Sequence, residues 1–253
     1  MKIFDCFLYN NENLVLDIRL NTLSKYIHKF IIVESMFDHQ GNKKKLNFKI
    51  ENFQNFKDKI IYLIIEKFPE NVSNWDRENY QRNFISRGLN HADDDDLIII
   101  SDIDEIPNFS KLNIIREYKY SVFEQKMFYY KINLQNKTNP FWYGSRVCKK
   151  KYLKSPQWLR NQKVKTRPFW KFYKINWNII KNGGWHFSFL MSPENIKSKL
   201  SSYAHSEFNN AKYNNLSTIK NAIDQHIDLF NRPIKYEKVD FDHSFPEYIL
   251  KNK

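Results

Sequence analysis

The chain is poor in the residues that mark linkers, disulfide frameworks and membrane spans. Only five of its 253 residues are glycine and eight are proline, so a long disordered linker is not expected. Its two cysteines, Cys6 and Cys148, are too few for a disulfide framework, which favours a reducing compartment. The first apolar run, residues 3–9, is short and interrupted by Asp5. We therefore expect a cytoplasmic protein with no signal peptide, membrane anchor or membrane span.

Positive charge is in excess, since 41 lysines and arginines stand against 28 aspartates and glutamates, a net charge of +13. Such a balance suits a polyanionic partner, whether nucleic acid, an anionic membrane surface or a phosphorylated substrate. A solvated surface in a lysine-rich sequence explains the same excess equally well. The basic residues are scattered, except for short runs at 43–45 and 149–151. The charge alone therefore does not identify a partner.

The first half of the sequence alternates apolar segments with amphipathic ones. The apolar segments predict buried strands at residues 3–9, 30–33, 59–65 and 97–100. The segments 14–26 and 74–90 predict helices. Apolar strands that alternate with helices are typical of a parallel sheet covered on both faces.

Aromatic residues, among them Phe169 and Trp170, dominate the chain after Pro107. Short, mostly antiparallel strands and loops are expected there, followed by helices at residues 193–205 and 217–230. The predicted fold class is therefore α/β, a Rossmann-type, mostly parallel sheet flanked by helices with an aromatic-rich second half. In such sheets ligands bind at the carboxyl ends of the strands.

The segment 101–107 (SDIDEIP) follows the most apolar of the predicted strands. If the backbone stays extended, Asp102 and Asp104 point to the same side, and their charges repel unless a cation lies between them. Hard divalent ions such as Mn²⁺ or Mg²⁺ bind these oxygens and share their coordination shell with substrate phosphates. Such an ion would neutralise a diphosphate leaving group. The alternative interpretation is a solvated acidic turn.

The predicted helix at 74–90 places charged residues on its apolar face. Glu78 and Arg82 share a face with Ile85, and a buried arginine needs a partner. That partner could be Glu78 itself, one turn away. Alternatively, Arg82 or Arg77 could bind a phosphate or the base of a nucleotide. The sequence leaves both possibilities open.

Two further segments predict donor-site contacts. Glu34 ends the second predicted strand and could accept hydrogen bonds from a ribose or a base, although an N-cap or surface role is equally compatible. Gly183 and Gly184 would let the backbone approach a ligand closely. Trp185 then offers a face for a sugar ring, and His186 could ligate the metal as a neutral imidazole.

Direct displacement at a sugar carbon needs a base that takes the proton of the acceptor hydroxyl. The candidates in the second half are Glu194, Glu207 and Asp224. We select Glu194, together with Asp104, as the catalytic residues. A carboxylate favoured by the dipole at a helix start explains Glu194 as well.

Several of these stretches together carry a resemblance to a known family. They are residues 31–35 (IIVES), 75–78 (WDRE) with 81–83 (QRN), 99–107 (IISDIDEIP), 183–188 (GGWHFS) and 204–207 (AHSE). The sequence resembles glycosyltransferase family 17, the family of the β-1,4-mannosyl-glycoprotein N-acetylglucosaminyltransferases. The stretches occur in the expected order through most of the chain, which makes the set specific although no single stretch is.

The resemblance implies a GT-A fold and a transfer reaction that inverts the sugar's configuration and depends on a divalent ion such as Mn²⁺. The sugar would pass from a UDP-sugar to a glycan hydroxyl, and UDP-GlcNAc is the expected donor. It makes Asp102 and Asp104 the metal and donor motif. The other donor-site candidates it supports are Glu34, Arg77, Arg82 and His186. We expect a single GT-A-like domain over residues 1–253. In it, residues 1–107 would bind the nucleotide sugar, and residues 108–253 would bind the acceptor and complete the site.

The sequence lacks the membrane anchor and stem of the animal members, so a soluble bacterial or viral enzyme is expected, in the host cytoplasm if viral. A metal-dependent nucleic-acid-processing enzyme would suit the charge, but no nucleic-acid-binding motif is recognised and no nucleic-acid partner is expected. A sugar-phosphate nucleotidyltransferase would carry a glycine-rich basic loop after the first strand, where this chain has residues 10–13 (NNEN). A non-catalytic glycan-binding module would not need the aspartate pair.

Overall fold

The computed structural model describes residues 1–164, 175–202 and 209–252. Within them, eleven strands form one sheet with helices on both sides. The strands are β1 (Ile3–Leu8), β2 (Lys29–Ser35), β3 (Ile60–Ile65), β4 (Leu97–Asp102), β5 (Glu105–Pro107), β6 (Tyr120–Tyr129), β7 (Leu134–Asn136), β8 (Phe141–Lys149), β9 (Asn178–Ile180), β10 (Gly184–Ser188) and β11 (Tyr236–Lys238). The helices are α1 (Asn13–Leu23), α2 (Asn74–Phe84), α3 (Leu112–Glu117), α4 (Pro156–Asn161), α5 (Pro193–Ser202), α6 (Leu216–Asp224) and α7 (Glu247–Lys251).

The four strands of the first half pair in parallel in the order β3-β2-β1-β4. The central strand β1 is buried on both faces because its side chains alternate between two apolar clusters. Phe7 packs in the cluster that contains Leu16 and Leu20 of α1. Phe4 packs in the cluster that contains Ile85 and the residues around α2. The predicted α/β class, a Rossmann-type sheet flanked by helices, is confirmed.

The second half continues the same sheet. Strand β8 runs antiparallel to β4, and β6 runs antiparallel to β8. Strands β9 and β10 pair with β6 in parallel, whereas β7 and β11 form an antiparallel edge. Helices α5 and α6 cover this part through a separate apolar cluster around Tyr129 and Leu134. The expected antiparallel strands are therefore present beside two parallel ones.

Three predicted helices end earlier than their sequence pattern suggests, and the first of them, expected at 14–26, ends at Leu23. The helix expected at 74–90 ends as an α-helix at Phe84 and continues as a 3-10 helix, Ile85–Leu89. Ser73 and Asp76 form a capping box that fixes its start. The helix expected at 217–230 ends at Asp224. Phe169 and Trp170, and the chain beyond Ser202 in the helix expected at 193–205, lie outside the described residues.

The directions of the strands place several strand termini at one edge of the sheet. The carboxyl ends of β1, β2 and β4 meet there because these strands are parallel. The first residues of β8 reach the same edge because β8 runs opposite to β4. In the described part of the chain, no helix has the length and apolar character that crossing a membrane requires.

Candidate active site

A pocket of about 720 Å³ opens at this edge of the sheet. Asp102 ends β4 and Asp104 follows in the turn to β5, while His186 reaches the pocket from β10. The sequence-predicted residues that line it are Arg82, Asp102, Asp104 and His186. The pocket also receives residues from β1, from the segment after β2, and from β7 and β8. The site therefore lies where the topology of the sheet predicts a ligand site.

The carboxylate of Asp102 lies between two arginines. Arg82 Nη2 donates to Asp102 Oδ1 at 3.0 Å, and Arg160 Nη2 donates to Asp102 Oδ2 at 2.5 Å. Desolvation acts to raise the pKa of Asp102, but the charges of Arg160 and Arg82 outweigh it and hold the pKa well below its ordinary value. Asp102 is therefore ionised at neutral pH, with both carboxylate oxygens already bonded to guanidinium groups.

Arg160, on helix α4, also binds the buried side chain of Glu105. Its two terminal nitrogens donate to the two oxygens of Glu105 at 2.8 and 2.7 Å. The indole Nε1 of Trp142 donates to the same carboxylate at 2.7 Å. Arg160 thus joins the end of β4 to the start of β5, with the bidentate geometry that makes arginine–carboxylate pairs strong. Sequence reasoning missed it because nothing in the segment 155–161 indicates its partners.

A buried ion pair supports the turn from beneath. Arg19 of α1 donates from Nε and Nη2 to the carboxylate of Asp5 at 2.7 and 2.5 Å, and neither side chain is exposed to solvent. Its Nη1 donates to the backbone oxygens of Asp102, Ile103 and Glu105 at 3.2, 3.0 and 2.8 Å. Arg19 therefore fixes the backbone that carries the aspartate pair. The signal that could have found it is Asp5, a charged residue inside an apolar strand.

Asp104 and His186 form a second charged pair in the pocket wall. His186 Nε2 lies 3.5 Å from Asp104 Oδ1, and each side chain is 13% exposed. Burial acts to lower the pKa of His186, but Asp104 outweighs it and the pKa is raised. Burial likewise acts to raise the pKa of Asp104, but His186 outweighs it and the pKa is lowered. The two groups therefore stabilise each other in their charged forms.

The predicted metal ligands are Asp102, Asp104 and His186, which the structure brings to the same pocket. Within the described residues, no group of three or more His, Cys, Asp or Glu side chains is arranged to hold a metal ion. Asp102 is engaged by arginines, which leaves Asp104 and His186 as a two-residue donor set. His186 Nδ1 is buried and has no hydrogen-bond partner, an unsatisfied atom of the kind found at ligand sites. The described residues therefore offer an ion at most these two donors, and His186 could be one of them only as the neutral imidazole.

Arg82 bonds both to its own helix and to residues outside it. Its Nη2 donates to Glu78 Oε1 at 2.9 Å, so the internal pair within the helix exists. The same nitrogen also reaches Asp102, while Nη1 donates to Gln157 at 2.6 Å. Its Nε is buried without a hydrogen-bond partner in the described chain. Arg82 therefore links α2 to the aspartate pair at the pocket wall.

Glu34 and Arg77 do not line the pocket but hold segments that do. The buried carboxylate of Glu34 accepts hydrogen bonds from Lys44 Nζ and from the hydroxyl of Tyr62, both at 2.8 Å. The backbone amides of residues 47 and 48 also donate to it. Arg77 donates to the backbone oxygen of His39 at 3.1 Å. Because Lys44 and His39 line the pocket, these two predicted residues contact its walls from behind.

In the segment 183–188, His186 reaches the pocket as predicted but Trp185 does not. Neighbouring residues on β10 point to opposite faces, so Trp185 points away when His186 faces the pocket. Trp185 is 5% exposed, belongs to the main apolar cluster, and donates from Nε1 to Ser244 O at 2.9 Å. We therefore correct its assignment as a sugar-binding face.

The paired glycines serve packing rather than ligand approach. A Cβ atom on Gly184 would lie 2.1 Å from Ile106 O, and one on Gly183 would lie 2.5 Å from Ile180 O. Gly184 also has a φ of +133°, which side-chain-bearing residues rarely adopt. The two glycines therefore let β10 lie close to β5 and to the chain after β9.

Two of the three candidate bases, Glu194 and Asp224, lie apart from the pocket. Glu194 occupies the first turn of α5, where its side chain is 59% exposed and 3.7 Å from Lys220 Nζ. Asp224 ends α6 on the surface, and neither residue lines the pocket. Glu207 lies outside the described residues. The structure therefore brings Asp104, but not Glu194, to the candidate site.

The family model and the related proteins that match this chain point to the same family. A family model described as glycosyltransferase family 17 matches residues 1–241. Relatives from Homo sapiens, Rattus norvegicus and Mus musculus, each named β-1,4-mannosyl-glycoprotein 4-β-N-acetylglucosaminyltransferase, are 25%, 24% and 24% identical over 234 residues. Each alignment covers 82% of this chain and 44% of the relative, so the chain spans less than half the length of these relatives.

A solved structure with a weaker likeness is the 2-C-methyl-D-erythritol 4-phosphate cytidylyltransferase of Francisella tularensis. It is 7% identical with a TM-score of 0.32, over 60% of this chain and 74% of that chain. The family assignment comes instead from the sequence match, which runs through both halves of the sheet and includes every residue that lines the pocket. This chain belongs to glycosyltransferase family 17.

Proposed function

We propose that this chain transfers a sugar, with inversion, from a UDP-sugar to a hydroxyl group of a glycan, and that UDP-GlcNAc is the donor. The observation that carries the proposal is the grouping of Asp102, Asp104 and His186 beside Arg82 and Arg160 at the carboxyl edge of the sheet. The family supplies the reaction class, and the relatives named above supply the sugar.

The nucleotide would bind at the end of the pocket formed by β1 and β2. Asn10 follows β1 there, and Phe37, Asp38 and His39 come from the segment after β2. This is the crevice at the carboxyl ends of parallel strands in which such folds bind nucleotides. An aromatic ring and nearby polar groups suit a base and a ribose.

The diphosphate would lie beside the aspartate pair. Arg82 lines the pocket and could bind it there, since guanidinium groups bind phosphate oxygens bidentately, whereas Arg160 stays bonded to Asp102 and Glu105. Asp104 and His186 would hold the divalent ion, which would neutralise the charge on the departing diphosphate. Asp102 keeps Arg82 in place until the phosphates bind, and Arg19 keeps the turn fixed beneath the aspartate pair.

The proposal is tested by thermal stabilisation with UDP, UDP-GlcNAc and single-stranded DNA, each with and without Mn²⁺. A ligand present at 100 times its dissociation constant stabilises the folded state by about 2.7 kcal/mol. We expect Mn²⁺-dependent stabilisation by the two UDP ligands. The substitution Asp104→Asn should abolish it.

Asp93→Asn is the matched control, because Asp93 is an exposed aspartate at the opposite end of β4 whose side chain is 75% exposed. It should leave the UDP stabilisation unchanged. Stabilisation by DNA alone, without any dependence on metal, would contradict the transferase function and favour a nucleic-acid enzyme.

A further inference from the structure

The indole ring of Trp142 is held by a hydrogen bond at its Nε1 edge, and the residue is partly exposed to solvent. It lies near the start of β8, where its Nε1 donates to Glu105 at 2.7 Å. The residue is nevertheless 44% exposed and lines the pocket. Its ring centre lies 5.8 Å from that of His186. An exposed tryptophan whose orientation is fixed by a buried carboxylate is preorganised to bind a ring-shaped ligand.

The surroundings of Trp142 add the polar groups that a sugar requires. Phe141 is 47% exposed and lines the same end of the pocket, as do Asn136 and Asn139. Asn139 donates from its backbone nitrogen to Asn136 Oδ1 at 2.8 Å, which orders the turn between β7 and β8. Aromatic faces accept the C–H surface of a pyranose, and amide side chains accept and donate hydrogen bonds to its hydroxyls.

The position of this group relative to the donor follows from the strand order. Strands β1 and β2 lie on one side of β4, and β8, β6 and β7 lie on the other. Asp102 at the end of β4 therefore separates the proposed nucleotide end from Trp142. A sugar stacked on Trp142 would lie beside His186, next to the place where the transferred sugar is released.

We propose that Trp142 is the platform on which the acceptor stacks, and that the acceptor presents a neutral hexopyranose ring to it. This inference rests on the proposed transferase function for the role of the bound sugar. The stacking itself depends only on the exposed indole and the amides around it.

The test measures binding of mannotriose, chitotriose and cellotriose to the full chain by saturation-transfer NMR and by titration calorimetry. Wild-type protein should bind at least one of these sugars. Trp142→Ala should weaken that binding about tenfold or more, a change of about 1.4 kcal/mol. Trp142→Phe, which keeps a ring but loses the hydrogen bond to Glu105, should retain most of the binding.

Tyr143→Ala is the matched control, because Tyr143 is the next residue on β8, is 37% exposed, and does not line the pocket. It should bind the sugars as wild type does. Circular dichroism and thermal unfolding are measured on every variant, and a cooperative unfolding transition in Trp142→Ala shows that this variant is folded.

The outcomes separate the two proposals. If wild type does not bind the sugars, or if wild type and Trp142→Ala bind them equally, the platform is refuted. This holds whether or not UDP stabilises the protein. If Trp142→Phe and Trp142→Ala lose sugar binding equally, stacking is refuted. Trp142 would then act through its hydrogen bond to Glu105. Sugar binding that depends on Trp142 in a protein that does not bind UDP would support the platform and refute the transferase.

Discussion

At the scale of single residues, Arg19 matters because five hydrogen bonds of its buried guanidinium end on Asp5 and on the turn after β4. Removing one partner of a buried ion pair leaves the other charge uncompensated, which costs about 3–5 kcal/mol. We expect Arg19→Met to lower the free energy of unfolding by this amount. Urea denaturation followed by circular dichroism measures the change.

Lys2→Met provides the comparison, because the Lys2–Asp93 pair is exposed, with side chains 43% and 75% accessible. Exposed pairs contribute about 0–1 kcal/mol, so this variant should unfold close to wild type. Similar losses in the two variants would show that Arg19 does not support the turn as its contacts indicate.

The two cysteines give a prediction about pH. Both are free and buried, and burial raises the pKa of Cys148 to about 12 and that of Cys6 well above its ordinary value of 9.0. A raised pKa in the folded state favours the neutral thiol, so this contribution to stability is full below pH 9 and is lost as the pH rises towards 12. At pH 8 the native protein should therefore leave Ellman's reagent almost unreacted, whereas the urea-unfolded chain should react at both thiols. Rapid stoichiometric reaction of the native protein would contradict the burial.

Some site residues could be predicted from the sequence and others could not, and the reason is physical. Asp102 and Asp104 are predictable because they directly follow an apolar strand, and local order places them at its end. Arg160 is not predictable, because its bonds to Asp102 and Glu105 depend on how α4 packs against the sheet. Trp185 was misplaced because only one of two neighbouring strand residues can face the pocket.

At the scale of secondary-structure elements, strand β10 depends on its first residue. Gly184→Ala would place a methyl group 2.1 Å from Ile106 O at a φ of +133°, so β10 could no longer lie against β5 as it does. Strain of this kind costs about 1–3 kcal/mol. We expect the variant to unfold at a lower temperature and to lose UDP stabilisation, since His186 follows two residues later. Differential scanning calorimetry measures the first effect.

Asn182→Gly is the corresponding control two residues earlier. Asn182 is exposed and has a φ of +52°, a conformation that glycine adopts without strain. Its unfolding free energy should stay within about 0.5 kcal/mol of wild type. If Gly184→Ala is as stable as Asn182→Gly, the close approach of β10 to β5 is not required.

The elements of the first half were predictable because their apolar runs are local signals, as in β1, β2 and β4. The strand pairing in the second half was harder to predict from the sequence. Strands β9 and β5 have three residues each, too few for a period to be recognised. Their partners are fixed by contacts far along the chain, so β10 joining both β5 and β6 could not be read from sequence spacing.

At the scale of the whole molecule, the two halves share one sheet. Strand β4 belongs to the predicted nucleotide-binding half, yet its outer neighbour β8 comes from the second half. We expect urea unfolding to be a single transition, with coincident curves from circular dichroism and from tryptophan fluorescence. A fragment of residues 1–107 should be unfolded, because β4 would expose an apolar edge. Two separate transitions, or a folded fragment, would contradict the single domain expected over residues 1–253.

The four-residue connection at 137–140 has a consequence for the evolution of specificity. It joins β7 to β8 on the surface, next to the proposed acceptor platform, and contributes Asn139 to the pocket. The nucleotide end is built from other strands on the far side of β4. Substitutions or insertions in this short loop are therefore expected to change which glycans are recognised, at little expense to folding or to donor chemistry. Divergence among relatives in what they modify would then concentrate in a segment that the sheet does not need.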